Sequence, residues 1–445
     1  MKKISIFVNP NVRPILKGAS RAFAMVLDEA PSSDVTVAFS SANSFVTFGS
    51  SLTFTTGNYN IPQTITITAV ANATPEGYKE ETIICTPSGG GYSKELKFKI
   101  NICDAYIDYE LLRRKQWYGT HIRQLSDIDT LRSSMIDYLF NGNGMPTNAI
   151  PDSLVSSYTG VCGQFNTSAL TGVTRVDSLT FNFTDWRAGV WASKVYHIIT
   201  SATPKNILVM VMGGHGSEAY HLNCVQDLLN NGFDVAYCFL PLTFQNTTTS
   251  PGITGTGVNG HNEIEEDGLE TPSFSGMELF LYDKIMALNY MDANYSYTEY
   301  YGTGCSGGGN MMKTVQAIDT RVTRTICVRG YQAYSGVAWE AGIDFASDYE
   351  QGGSPATQLS IMESNYYDHI YLGTSGGRRH YATHNVFDTI AGTFSFNLYK
   401  DFLPPKVHAM TGGTFGLFLD TDPSGSTHGW NILDRQKMIE QFLLP

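Results

Sequence analysis

Residues 206–212, Asn206-Ile207-Leu208-Val209-Met210-Val211-Met212, form a nearly continuous apolar run. A strand with two apolar faces has to be covered on both, as strands inside a parallel sheet flanked by helices are. The surrounding chain alternates accordingly. Residues 225–231 suit a helix and 233–240 a second apolar strand, while 310–318 suit a helix following a strand that ends near Tyr301. Two β hairpins, over 178–184 and 189–199, precede this alternation. Strands alternating with helices predict an α/β fold with a mostly parallel sheet from about residue 150 to the end.

The beginning of the chain obeys a different period. Apolar and polar residues alternate through 34–39, 52–54, 64–68 and 96–102, with turn signals at Gly57-Asn58, Ile61-Pro62 and Gly89-Gly90-Gly91 between them. Short strands at this spacing predict an all-β sandwich over residues 1–103. Cys85 and Cys103 fall in two of its strands, where a disulfide is a candidate. Residues 104–149 read as a helical connector. Ser126-Asp127-Ile128-Asp129 resembles a capping box, Ile128, Leu131, Met135 and Leu139 repeat at helical spacing, and Asn141-Gly142-Asn143-Gly144 stops the helix. At 445 residues the chain is expected to be multidomain: sandwich, connector, then an α/β part over 150–445.

Chemistry concentrates in that last part. Gly304-Cys305-Ser306-Gly307-Gly308 fits G-x-S-x-G, a tight strand-to-helix turn that holds a serine at strained backbone angles and therefore needs small neighbours. Cys305 is a rival nucleophile, but the same motif centred on it needs glycine at 303, where Thr303 stands. Downstream, a strand over 379–387 leads to Asp388, and a strand over 415–419 leads through a Ser/Gly loop to His428, ahead of a closing helix over 431–444. The order serine, acid, histidine makes Ser306, Asp388 and His428 the candidate catalytic set. A serine hydroxyl attacks only once a base takes its proton; histidine can do this and later protonate the leaving group. A carboxylate sets the imidazole's tautomer and stabilises its charged form. Asp344, Asp348, Asp420 and Asp422 remain open as alternative acids; Asp388 is preferred because it lies one strand before the histidine. The apolar run at 206–212 leads into Gly213-Gly214-His215-Gly216, so Gly214, His215 and Gly216, with Gly307, are the candidate oxyanion-binding positions.

Composition narrows the setting. Net charge is -12 and only 16% of residues are charged, against about 25% in typical domains. No basic stripe suggests a nucleic-acid partner. The seven cysteines show no C-x-x-C and sit mostly in apolar runs, as buried thiols do. His215 and His221 lack paired metal ligands at helical spacing, so no metal and no cofactor is expected. The apolar run after Lys2-Lys3 stops at Asn9-Pro10, too short for a conventional signal peptide, and no stretch is long enough for a membrane span. A polar stretch over 243–275, carrying His261 and the acidic run Glu263-Ile264-Glu265-Glu266-Asp267, reads as a wall over the site.

About 290 residues of the chain resemble an α/β-hydrolase of the carbohydrate-esterase kind. The resemblance rests on Gly304-Cys305-Ser306-Gly307-Gly308-Gly309, on Gly377-Arg378-Arg379 through Asn385-Val386-Phe387-Asp388, and on Thr427-His428. It departs at the oxyanion loop, where Ser217-Glu218 rather than further glycines follow Gly216. Residues 51–67 resemble Ig-like or Calx-beta-like modules of surface and phage-virion proteins. Together the resemblances imply a serine esterase deacetylating an acylated bacterial polysaccharide, located on a virion (a phage tail) or extracellular, with the sandwich attaching it to other virion proteins. The competing readings are a serine peptidase of the same fold and a non-catalytic structural or receptor-binding virion protein. With 25 tyrosines and 24 phenylalanines, aromatic sugar stacking is expected, with Trp186, Trp191, Tyr331, Tyr334 and Trp339 as candidate lining.

Overall fold

The structure, a computed structural model, describes residues 4–7, 15–71, 78–103, 120–163, 165–215, 218–257, 260–261, 263–264, 269, 275–330, 366–386, 388, 394–421 and 428–445. The first strands are Ile4–Phe7 (β1), Ile15–Leu16 (β2), Ser20–Leu27 (β3), Val35–Ser41 (β4), Val46–Phe48 (β5), Leu52–Phe54 (β6), Gln63–Ala69 (β7), Tyr78–Ser88 (β8) and Leu96–Cys103 (β9). They form a four-stranded sheet in the order β1-β3-β7-β5 and a five-stranded sheet in the order β2-β9-β8-β4-β6. Pairing is antiparallel except for β2 with β9.

Alternation builds these sheets. In β7, Ile65, Ile67 and Ala69 are buried and Thr64 and Thr66 are not; in β9, Leu96, Phe98, Ile100 and Ile102 are buried. The inward residues of both sheets share one apolar cluster, in which Phe23 of β3 meets Phe98 of β9 with ring centroids 5.6 Å apart. The candidate disulfide does not form. Cys85 is a free buried thiol opposite Leu96, whereas Cys103 lies opposite Tyr78 at the other end of the β8–β9 pair.

The expected connector helix is Asp127–Leu139 (α1). Its start differs from the capping box: the Ser126 side chain makes no cap hydrogen bond, and the Asp127 carboxylate instead accepts from the backbone N–H groups of Arg123 and Gln124 at 2.8 and 3.0 Å. Asp127 lies two residues nearer those donors than Asp129, the acid a capping box would use. Ile128, Met135 and Leu139 join the core of the following sheet rather than that of the small ones.

That sheet is ten-stranded and mixed. Its strands are Ser153–Val155 (β10), Val173–Thr184 (β13), Val190–Thr200 (β14), Ile207–Gly213 (β15), Asp234–Phe239 (β16), Thr247–Thr248 (β17), Glu299–Cys305 (β18), Val322–Val328 (β19), Arg379–Asn385 (β20) and Thr414–Asp420 (β21); Val161–Cys162 (β11) and Phe165–Asn166 (β12) pair separately. The order is β10-β13-β14-β16-β15-β18-β19-β20-β21, with β17 beside β14. From β16 to β21 all neighbours are parallel, and the hairpin strands β13 and β14 close the sheet antiparallel. The helices are Glu218–Asn230 (α2), Glu278–Asn294 (α3), Gly307–Ile318 (α4), Tyr366–Thr374 (α5), Phe394–Tyr399 (α6), Leu403–Thr411 (α7) and Ile432–Leu443 (α8). The apolar run over 206–212 supplies both faces. Leu208, Met210 and Met212 of β15 enter one cluster with α1, α3 and α4, while Val209 and Val211 enter the other with α2 and α8. This mixed α/β arrangement is consistent with an α/β-hydrolase.

The small sheets touch the large one at a defined place. Val386, just past β20, is buried in their cluster, and Leu419 of β21 packs against it. Among the described residues no helix is long and apolar enough to cross a membrane.

Candidate active site

The parallel strands deliver their C-terminal ends to one edge, where an open α/β sheet leaves room for a ligand. Ser306 stands there, between the last residue of β18 and the first of α4, at φ 57° and ψ −131°. A side chain rarely takes such angles, and this conformation is expected of a strained turn that exposes a hydroxyl. Close packing holds it. A Cβ on Gly304 would collide with Gly308 O, one on Gly308 with Met212 O of β15, and one on Gly214 would lie 2.5 Å from Cys305 O and 3.0 Å from Ser306 Cβ. The glycines of the motif and of the loop after β15 therefore let three backbone segments converge on one serine. Ser306 N–H is spent on Val328 O at 3.0 Å, and Ser306 O accepts from Gly309 and Asn310 in the first turn of α4. Gly307 N–H begins the helix, where no intrahelical acceptor exists.

Asp388 and His428 meet. The His428 Nδ1 lies 2.9 and 3.1 Å from the two Asp388 carboxylate oxygens, and Asp388 is fully buried. A carboxylate only accepts, so Nδ1 carries the proton and Nε2 presents its lone pair. His428 Nε2 is buried and makes no hydrogen bond among the described residues. Two residues on, Trp430 fixes the histidine loop to the serine's strand: its indole N–H reaches Thr303 Oγ1 of β18 at 3.4 Å, and its ring stands edge-on to His221 at 5.1 Å. His221 is internal, hydrogen-bonded to Tyr237 Oη at 2.7 Å, and burial pushes its pKa down to about 4.

The other candidates fall elsewhere. Asp420 ends β21 but accepts from the Asn385 side chain at 2.6 Å and from the Asn431 side chain. Asp344, Asp348 and Asp422 lie outside the described residues, as do Gly216 and, of the aromatics, Tyr331, Tyr334 and Trp339. Cys305 is buried and desolvation raises its thiol pKa strongly, which leaves it protonated and unreactive as a rival to Ser306. Trp191 is a core residue, 4% exposed, with its indole N–H on Asp185 at 2.8 Å; Trp186 is 57% exposed. Among the described residues no group of three or more His, Cys, Asp or Glu side chains is placed to hold a metal ion.

Gly214 lies against the serine, and His215 beside it is tied down. His215 Nε2 is 2.9 Å from His261 Nδ1, and His261 Nε2 donates to Pro241 O at 2.7 Å. A carbonyl only accepts, so in a neutral pair His261 Nδ1 accepts from His215. The polar stretch 243–275 thus reaches the oxyanion-loop candidate through the buried imidazole of His261. Glu263 is satisfied within that stretch by Thr254 and Gly255 N–H at 2.6 and 2.7 Å, and these bonds hold its carboxyl below the usual range; residues 265–267 lie outside the described set.

Two residues near the site had no sequence signal of their own. Arg329 follows β19 and Asp434 lies in the first turn of α8; both are buried, 3.0 Å apart. The only hint was an arginine placed directly after an apolar strand and before Gly330.

No family model matches the chain, and no curated protein sequence matches it. Solved structures do. Acetyl xylan esterase 1 from Thermoanaerobacterium sp. JW/SL YS485 aligns over 75% of this chain and 96% of its own, at 15% identity and TM-score 0.46. A methylesterase aligns over 82% and 73%, at 14% identity and TM-score 0.49. A glucuronoyl esterase from Solibacter usitatus aligns over 71% and 92%, at 12% identity and TM-score 0.43. The functional reading rests on the geometry of the site itself.

Proposed function

We propose that the chain is a serine esterase that removes acyl groups, acetyl foremost, from a polysaccharide. Ser306 attacks the ester carbonyl. His428 Nε2 takes the serine proton and returns it to the leaving sugar hydroxyl, and Asp388 holds the imidazole and stabilises its charged form. Gly307 N–H and the loop of Gly214, His215 and Gly216 meet the oxyanion of the tetrahedral intermediate. Water then repeats the sequence on the acyl-serine. The observation that carries this reading is the pairing of His428 Nδ1 with the buried Asp388 carboxylate, together with a serine held at elbow angles. The polysaccharide target is supported by the chain's low charge and many aromatic residues.

The small sheets are read as a sandwich that attaches the enzyme to a larger assembly, on a virion or outside a cell; the resemblance of residues 51–67 to surface and virion modules supports this. Covalent labelling of Ser306 by a fluorophosphonate, with acetate release from an acetylated glycan, tests the activity. An unlabelled serine would leave a non-catalytic protein, and cleavage of peptides in preference to the glycan would leave a peptidase. Tail or capsid genes beside this one would support the virion setting.

A further inference from the structure

Arg329 occupies a costly position. Its guanidinium is fully buried, and its backbone lies at φ 53°, where a side chain is uncommon. The conformation is pinned from both sides. Arg329 N–H donates to Thr383 O of β20 at 3.1 Å, Ser306 N–H donates to Val328 O at 3.0 Å, and a Cβ on the following Gly330 would collide with Ser306 O. Arg329 is thus wedged between the serine's turn and the strand leading to Asp388.

Its charge faces carboxylates from three separate segments. Nη2 lies 3.0 Å from Asp434 Oδ2 in α8 and 3.6 Å from Asp420 Oδ2 at the end of β21, and Nε lies 4.0 Å from Asp388 Oδ2. Asp434 also closes a capping box with Asn431, whose side chain reaches Asp420. One cation therefore joins the serine turn, the acid segment and the helix that follows the histidine. Burying such charges costs several kcal/mol each, and well-packed apolar residues would serve stability as well or better. The cluster needs another rationale, and the proximity of its cation to Asp388 supplies one.

We infer that Arg329 is a positioning residue for the reaction proposed above: it fixes the Asp388 carboxylate in its charged form and so orients the His428 imidazole toward Ser306. The inference rests on the serine-esterase reading. The groups that share its field are Asp388, Asp420, Asp434, His428 and the Cys305 thiol. Burial pushes Asp434 up while Arg329 opposes it. Removing a positive charge makes every neighbouring group bind its proton more readily. Turnover needs Asp388 ionised and His428 neutral, so loss of Arg329 moves the acid limb of the rate profile to higher pH from both sides. Removing one of the carboxylates moves it the other way.

The test uses the full chain with p-nitrophenyl acetate across the pH range. Arg329→Met is expected to lower kcat by roughly 10- to 100-fold, the range lost when a group that orients a functional side chain is removed, with KM nearly unchanged. Its acid limb should rise by about one pH unit. Arg329→Lys should restore the limb but only part of kcat, because an ammonium keeps the charge without the fork. Asp434→Asn should lower the limb, and it gives the answer even if Arg329→Met does not fold. A folded Arg329→Met whose acid limb stays in place overturns the inference, as does an Asp434→Asn variant whose limb does not fall. Wild-type protein that neither labels at Ser306 nor hydrolyses the ester overturns the esterase reading and this inference with it, whereas active wild type with unmoved limbs in the variants overturns the inference alone.

Discussion

Strands β15, β18, β19 and β20 are buried almost residue by residue, while β3, β4 and β7 are buried on every second residue. A doubly covered strand has no face left for chemistry, so polar groups that do work must sit where the chain leaves the sheet. Ser306, Asp388 and Gly214 follow the C-terminal ends of such strands, while His428 follows β21, which is only partly buried. A singly covered strand keeps one face for something else. Outward residues of the small sheets include the polar Thr64 and Thr66, and among the described residues these sheets meet the large one through apolar contacts at Val386, Leu419 and Leu16. In the function proposed above, the two regions divide reaction from attachment.

That division can be broken by experiment. The largest effect belongs to Ser306→Ala, expected to remove several orders of magnitude in turnover of p-nitrophenyl acetate with an unchanged circular dichroism spectrum. Retained activity in folded protein would move the chemistry off this edge altogether. Asp388→Asn is expected to cost about 10³- to 10⁴-fold, because the amide favours the wrong imidazole tautomer. Asp420→Asn should cost far less, since Asp420 touches Asn385 and Asn431 rather than His428; a larger loss at Asp420, Asp344, Asp348 or Asp422 would transfer the assignment there.

In the small sheets, Phe98→Ala should destabilise by about 3–5 kcal/mol, as removal of a fully buried ring does. A lower melting transition with kcat preserved per folded molecule would sharpen the comparison, and a matching fall in kcat would abolish it. A chain truncated to begin near Asp104 should likewise keep turnover on a small ester while melting earlier, because Val386 and Leu419 lose their cover. The mildest change, Val386→Ala, should cost about 1–2 kcal/mol and shift ester turnover little. Strong loss of activity would mean that the contact itself holds the segment that carries Asp388.

Much of this layout was legible beforehand because its signals are local. The Gly304-to-Gly308 motif encodes its own turn, and the apolar run at 206–212 announces coverage on both faces. The order of Ser306, Asp388 and His428 along the chain could be read, but five acids competed, because which one reaches the histidine depends on loops whose path no periodicity records. The Arg329 cluster was invisible for a related reason. Its carboxylates come from residues 388, 420 and 434, which have no spacing in common and meet only once β19, β20, β21 and α8 have packed. Trp191 and the Cys85–Cys103 pair misled in opposite ways: a residue type suggested a surface that is core, and membership of one domain suggested a proximity that register denies.

The convergence of Gly304, Gly308 and Gly214 on backbone atoms limits how such a protein can diversify. Any substitution at these positions drives a carbon into a carbonyl that cannot move without displacing a strand or the first turn of α4, so a mutant library randomised across the turn would consist mostly of misassembled molecules. New acyl or sugar preferences would have to be selected in the segments around the turn, such as 243–275, leaving the turn itself as an inherited constant.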